Sequence, residues 1–372
     1  MNTLVKLAAL WAKSGWRSVV SWAGLALCTI RAMGPLRDIC HCKSIVVVQL
    51  GHFGDMVLTL PLLDAIRKSN PKARIRVITT SAGAAVANAF GEGNEVLVPN
   101  SRVGCVSAFY GADFIIHLRG GLWWVFGAFR EYKAGFVHGL PHRSALRWAP
   151  LLLMGIPINR RAPEHQYVTL MRRMQKFGLR MPQHPVLDVE TNARPADWPS
   201  DIGYIIVHAG GNWRPRRWSE EKFYHVCASL WQKYGLRAVI ISAHETPGLS
   251  ERLRMNAIPL HELPPATTIL NLAAMIKGAS LFLGNDSGPA HLAAFLGVPC
   301  VVLYGPQDPR LFGVLSEKRK IVKGNAYCSP CWQIDCPHRH VRCMDSISVD
   351  SVLFAISELV QSDKNTIMGD RK

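Results

Sequence analysis

Ser44-Ile45-Val46-Val47-Val48-Gln49-Leu50-Gly51-His52-Phe53-Gly54-Asp55 is the stretch on which the fold turns. Its first seven residues are a largely apolar, β-branched run, the pattern of a strand buried on both faces in a parallel sheet. Two glycines break the run. Met56 to Ser69 then resumes at helical spacing, with Val57, Leu60, Leu63 and Ile66 on one face, and Arg74 to Thr80 is a second strand. Strand, helix and strand in this order make a βαβ unit, and Val96 to Val98 and Asp113 to Leu118 extend its sheet.

Glu190 to Asp201, rich in Pro, Asn, Asp and Ser, reads as a linker, beyond which the pattern restarts. Strands are expected over Tyr204 to His208, Leu236 to Ser242, Leu281 to Gly284 and Cys300 to Tyr304. Helices are expected over Glu220 to Tyr234, Leu270 to Lys277 and Pro289 to Leu296. Two such halves predict an α/β protein of two Rossmann-like domains facing a central cleft, with ligands at the carboxyl ends of the strands. The divisions are a basic and apolar segment 1–43, a first domain 44–190, a linker 191–202, a second domain 203–345, and a C-terminal helix and tail 346–372.

Composition narrows the class. At 49% hydrophobic over 372 residues the chain has ample apolar material for two cores, and ten Cys are too few for a disulfide-built scaffold. The excess of 43 Lys and Arg over 26 Asp and Glu gives +17, a field that attracts nucleic acid, an anionic membrane or a phosphorylated substrate. No nucleic-acid-binding motif accompanies it. Ahead of the first strand stand Lys6, Lys13, Arg17, Arg31, Arg37 and Lys43, with Trp11, Trp16, Trp22 and an apolar run of 13 residues from Ser18 to Ile30. That run is short of the ~20 residues that span a bilayer. It reads as a helix lying in the membrane interface; a helix packed on the core, or a signal or anchor, are the other readings.

Three loops carry candidate chemistry, each just after a strand. Gly51-His52-Phe53-Gly54-Asp55 permits a tight turn and places Asp55 in the first helical turn, either as a helix cap or facing a ligand. Its glycine spacing is not that of nicotinamide enzymes. Gly284-Asn285-Asp286-Ser287-Gly288-Pro289-Ala290-His291 precedes a helix whose N–H groups suit a diphosphate, joined by Ser287 and His291; a structural loop capped by Asp286 is the alternative. His208-Ala209-Gly210-Gly211-Asn212, followed by Arg214, Arg216, Arg217 and Trp218, suits a second grip on phosphate or is a solvated basic loop.

Gly51-x-x-Gly54-Asp55 with Leu60-Pro61 resembles the N-terminal motif of glycosyltransferase family 9, the ADP-heptose:lipopolysaccharide heptosyltransferases. Gly284 to His291, continuing through Leu292 to Pro299 and Tyr304-Gly305-Pro306-Gln307-Asp308-Pro309, resembles its nucleotide-sugar motif, and Arg217-Trp218 its basic-residue-plus-Trp pair. The resemblance runs from about Ser44 to Leu359. It implies a GT-B fold with an acceptor-side first domain and a nucleotide-sugar-binding second one, and an inverting transfer of heptose that needs no metal or other cofactor. An Asp-x-Asp pair is absent from the sequence, in agreement. Carried over, Asp55 is the general base. His208, Gly210, Arg217, Glu245, Asp286, Ser287, Gly288 and His291 bind the donor, ADP-heptose. His52, Arg119 and Arg143 are candidate acceptor contacts, the two arginines by charge alone, with a solvated surface as their other reading. Arg217 stands where many relatives have Lys, and His117 where the family often has Asp. The partners implied are a lipopolysaccharide-core-like acceptor and an anionic membrane surface, with no nucleic acid, and the location is cytoplasmic and peripheral on the inner membrane. The same chemistry with another nucleotide sugar, or a non-catalytic binder of phosphorylated glycans, are the alternatives; Asp55 argues against the latter.

Cys328-x2-Cys331-x4-Cys336-x6-Cys343 encloses His338 and His340. Four cysteines so close could hold a structural zinc. Free thiols in a reducing compartment are the other reading.

Overall fold

The computed structural model describes residues 38–99, 108–119, 135–138, 164–189, 203–331, 335–338 and 340–362. The chain divides at Pro182 and Gln183 into two units. In the first, β1 (Ser44–Gln49), β2 (Arg74–Thr79), β3 (Asn94–Leu97), β4 (Phe114–Arg119) and β5 (Gly135–His138) form a parallel sheet in the order β3-β2-β1-β4-β5. In the second, β6 (Tyr204–His208), β7 (Arg237–Ile240), β8 (Leu260–Glu262), β9 (Leu281–Asn285), β10 (Cys300–Tyr304) and β11 (Arg319–Lys323) form a parallel sheet in the order β11-β10-β9-β6-β7-β8. The second order is that of the Rossmann sheet, and the first is the same order one strand short. Both switch strand direction of progression beside their first strand, where such sheets take ligands. Two α/β units of the expected class are therefore present.

The central strand β1 explains why its sequence is so apolar. Ile45, Val46, Val47 and Val48 are all fully buried, and each such side chain contributes about 1.5–3 kcal/mol on leaving water. In the second unit Ile205, Val207, Leu281, Leu283, Val301 and Leu303 meet Trp218 and Phe223 in one core. Val352, Ile356 and Leu359 of the C-terminal helix Val349–Ser362 join that core.

One expected helix is two. The run from Met56 to Ser69 is broken into α1 (Phe53–Val57) and α2 (Leu60–Ser69). Pro61 lacks the N–H that would bond back to Val57, and its ring crowds that carbonyl. The first helix also starts earlier than expected, at Phe53, so Asp55 is its third residue. The unit boundary falls ahead of the 191–202 stretch, which lies, like 1–37, outside the described residues. The Leu187 N–H donates to the Phe295 carbonyl at 2.7 Å, and Lys277 Nζ donates to Asp188 and to the Val189 carbonyl, so these residues already belong to the second unit.

Candidate active site

At the carboxyl end of β1 the chain turns through Gly51 and His52 into α1. A Cβ on Gly51 would lie 2.5 Å from Asp55 Oδ2, so only glycine lets the loop close over this carboxylate. The His52 N–H donates to Asp55 Oδ2 at 2.7 Å, which caps the helix. The capping role weighed from sequence is thus real, and the carboxylate remains partly exposed, at 23%. Arg119, the last residue of the neighbouring strand β4, donates through Nη1 to Asp55 Oδ1 at 2.9 Å and Oδ2 at 2.7 Å. The Leu50 N–H holds the Arg119 carbonyl at 2.8 Å and fixes the strand end from which that side chain reaches over. Sequence placed Arg119 only as an acceptor contact; the structure sets it on Asp55. His52 is exposed beside the pair, His117 is buried in β4, and Arg143 lies outside the described residues.

The second unit gathers its candidates at the carboxyl ends of β6, β7 and β9. His208 Nδ1 is 2.9 Å from Ser287 Oγ. Asn285 Nδ2 donates to the carbonyls of Ala209 and Gly210, and Asn285 Oδ1 accepts from the Trp218 N–H, so the β6 and β9 loops are stitched together. Arg217 donates from Nε to the Gly211 carbonyl at 2.7 Å and from Nη2 to Glu245 Oε2 at 2.9 Å. Glu245 Oε2 also accepts the Gly211 N–H at 2.6 Å. Gly211 adopts φ +137°, a left-handed backbone that glycine tolerates. A Cβ on Gly210 would come within 2.7 Å of Glu245 Oε2, so this position too needs glycine.

Asp286 is buried, with Arg216 Nη1 3.2 Å from its Oδ2, and Arg216 lies over the Trp213 ring at 4.3 Å. Burial pushes the Asp286 carboxyl up to about 6, against the pull of Arg216. Burial takes His208 down to about 4, so its ring is neutral near pH 7. Ser287, Gly288 and Pro289 open the helix α3 (Gly288–Phe295), and His291 is buried on it. Six of the eight expected donor residues are thus tied to the loops around β6, β7 and β9, and Gly288 and His291 sit on the helix that follows. Arg216 and Asn285 stand within the two loops read from sequence but were given no role of their own there. The basic run that drew attention to Arg217 contains Arg216, and only the short turn Arg214–Arg216 sends the two side chains to different partners.

Cys328, Cys331, Cys336 and Cys343 line one cavity with Pro215 and Pro306. All four thiols are free, and burial pushes that of Cys343 up to about 11. The Cys331 N–H donates to the Pro306 carbonyl at 2.8 Å, which ties this wall to the loop after β10. Among the described residues, no group of three or more His, Cys, Asp or Glu is placed as a ligand set for a metal ion.

The profile of glycosyltransferase family 9 (heptosyltransferase) matches residues 112–342. Lipooligosaccharide heptosyltransferase 2 of Campylobacter jejuni subsp. jejuni serotype O:2 is 28% identical over 151 residues, 40% of this chain and 47% of that protein. The chain therefore matches about half the length of this relative. Among solved structures, E. coli ADP-heptose lipopolysaccharide heptosyltransferase II is similar with a TM-score of 0.63 at 19% identity, over 86% of this chain and 99% of that one. A family 9 glycosyltransferase of Veillonella parvula gives 0.64 at 18% identity, over 86% and 97%. At these identities the structural likeness is one of fold.

Proposed function

The chain belongs to glycosyltransferase family 9, the heptosyltransferases, and from that premise we propose an inverting, metal-independent transfer of heptose from ADP-heptose to a lipopolysaccharide-core or related phosphorylated glycan. The observation that carries this reading is the Asp55 carboxylate, fixed at the carboxyl end of β1 by a backbone N–H and partly exposed, with Arg119 across it. In the reaction the acceptor oxygen attacks the anomeric carbon on the face opposite the diphosphate. Its proton passes to Asp55, and the bond from carbon to the diphosphate oxygen breaks with its electron pair leaving on ADP.

The second unit receives the donor. Arg217, Ser287 and the Gly288 end of α3 stabilise the charge that builds on the leaving diphosphate, the work a cation does elsewhere. Neutral His208 orients the Ser287 hydroxyl, and Glu245 contacts the nucleoside. The positive charge of the chain attracts a phosphorylated, membrane-carried acceptor. Among the described residues no helix is long and apolar enough to cross a membrane, and residues 1–43 dock the enzyme on the cytoplasmic face of the inner membrane.

The test is product analysis by mass spectrometry with purified protein, a lipopolysaccharide-core acceptor and a panel of nucleotide sugars. Asp55→Asn should bind ADP as the wild type does, by calorimetry, and lose turnover by ~10²–10⁴-fold. Near wild-type turnover in that variant removes Asp55 from the mechanism.

A further inference from the structure

The carboxylate assigned as base does not stand open. Arg119 Nη1 bonds both of its oxygens, and Oδ2 also accepts the His52 N–H. Among the described residues, Oδ1 has Arg119 as its hydrogen-bond partner and nothing else. A general base needs an oxygen within ~2.6–3.2 Å of the hydroxyl it deprotonates, and here a guanidinium lies on that oxygen. The Arg119 side chain is 52% exposed, so the pair is weakly held and open to exchange. Guanidinium also binds phosphate and carboxylate in the same forked geometry, and either can replace Asp55 as its partner.

We propose that Arg119 is a positioning residue that masks Asp55 until an oxyanion of the acceptor, phosphate or carboxylate, draws it away. The inference rests on Asp55 being the base. When Arg119 moves to the acceptor, Oδ2 stays on the His52 N–H and keeps the carboxylate in place, while Oδ1 is released to face the hydroxyl. The acceptor oxygen then forms its bond to the anomeric carbon, its proton goes to Oδ1, and the pair of the broken bond leaves on the nucleoside diphosphate. An anionic group on the acceptor thereby raises turnover as well as affinity, and a neutral glycan meets a closed base.

The experiment compares three forms of one core oligosaccharide: native, dephosphorylated, and with its carboxylates reduced to alcohols. Wild-type enzyme should lose kcat by about 10- to 100-fold on one of the two stripped forms, part of what a general base supplies. The form that loses turnover identifies the oxyanion. In Arg119→Gln the native and stripped forms should share one kcat, with KM for the native form raised; Arg119→Lys, which keeps the charge, should retain part of the discrimination. If wild-type kcat is the same on all three forms and only KM differs, or if Arg119→Gln still discriminates in kcat, the masking role is wrong while the transferase reading stands. Absence of product from the native acceptor with wild-type enzyme removes both.

Discussion

Arg217 and Glu245 hold each other at two points: Nη2 donates to the carboxylate at 2.9 Å and Nη1 to the Glu245 carbonyl at 3.2 Å. The same carboxylate oxygen takes the Gly211 N–H at 2.6 Å, and Arg217 Nε closes the ring on the Gly211 carbonyl at 2.7 Å. The guanidinium expected to meet the diphosphate is therefore preset by an acid on the next strand's loop. Preset donors lose less rotamer freedom when the ligand arrives.

Glu245→Ala should strip the Gly211 N–H and Arg217 of their shared acceptor. The expected loss is about 1–3 kcal/mol of stability, read from urea unfolding, together with weaker ADP binding by calorimetry as Arg217 loosens. Glu245→Gln keeps an acceptor oxygen and should lose less of both. Gly210→Ala should resemble the alanine variant at residue 245, because its new Cβ would sit 2.7 Å from Oε2 and drive the carboxylate off. Unchanged ADP affinity in all three folded variants would place the nucleotide elsewhere.

The buried His208 sets an acid sensitivity. Its folded pKa is about 4, lowered by burial from 6.5, so between those values the unfolded chain binds a proton that the native ring refuses. Stability from this residue is complete above pH 6.5 and is lost as pH falls to 4. Asp286, raised to about 6, acts in the opposite sense: its native carboxyl protonates first, so its burden is felt above pH 6 and eases toward pH 4. His208→Asn removes the first effect alone. Its unfolding free energy should gain on the wild type by on the order of 3 kcal/mol between pH 6.5 and 4, whatever the offset at neutral pH from losing Ser287. Parallel profiles for the two proteins would show that the ring is not held neutral.

The legible parts of this fold are those where one segment decides its own structure. Tyr204–His208, Glu220–Tyr234 and Cys300–Tyr304 fall where the sequence places them: two are apolar runs bounded by polar or glycine residues, and the helix ends at Gly235 in the left-handed conformation. Strands β8 (Leu-His-Glu) and β11 (Arg-Lys-Ile-Val-Lys) have no such run, because edge strands are half solvated, and they went unread. The loops were legible as glycine breaks after strands; their internal wiring was not. Arg119 reaches Asp55 across 64 positions only because β4 is the neighbour of β1, and strand order is not written in either segment. Charge alone could mark Arg119, but not its partner.

If Arg217 and the helix N–H groups take the place of a cation at the leaving group, as proposed, transfer should proceed in EDTA. Activity lost on chelation and recovered with Mg²⁺ would overturn the metal-independent reaction. Loss recovered only with Zn²⁺ would assign the cysteine cavity as a structural site. With the Cys343 thiol at about 11, its proton must be displaced for a metal to bind, so zinc uptake would also release acid, measurable in a weakly buffered titration.

Residues 1–43 should dock the enzyme on anionic membrane without spanning it. Six basic residues stand there beside three Trp and an apolar run of 13 residues, which is too short to cross. Each Lys or Arg at the surface contributes ~1 kcal/mol that fades with salt, and burial of Trp and Leu adds a part that salt does not touch. Removing 1–37 should lower binding to vesicles containing anionic lipid and leave transfer to a soluble acceptor fragment nearly intact, because the cut spares Ile39 and Cys42, which are buried in the first unit, and Asp55 and the donor loops lie beyond it. Binding of the full chain should fall in part at high salt, and carbonate should extract it from membranes. Protein that resists carbonate and is cut by protease from the far side of the membrane would show a spanning segment instead, and the docking role would be abandoned.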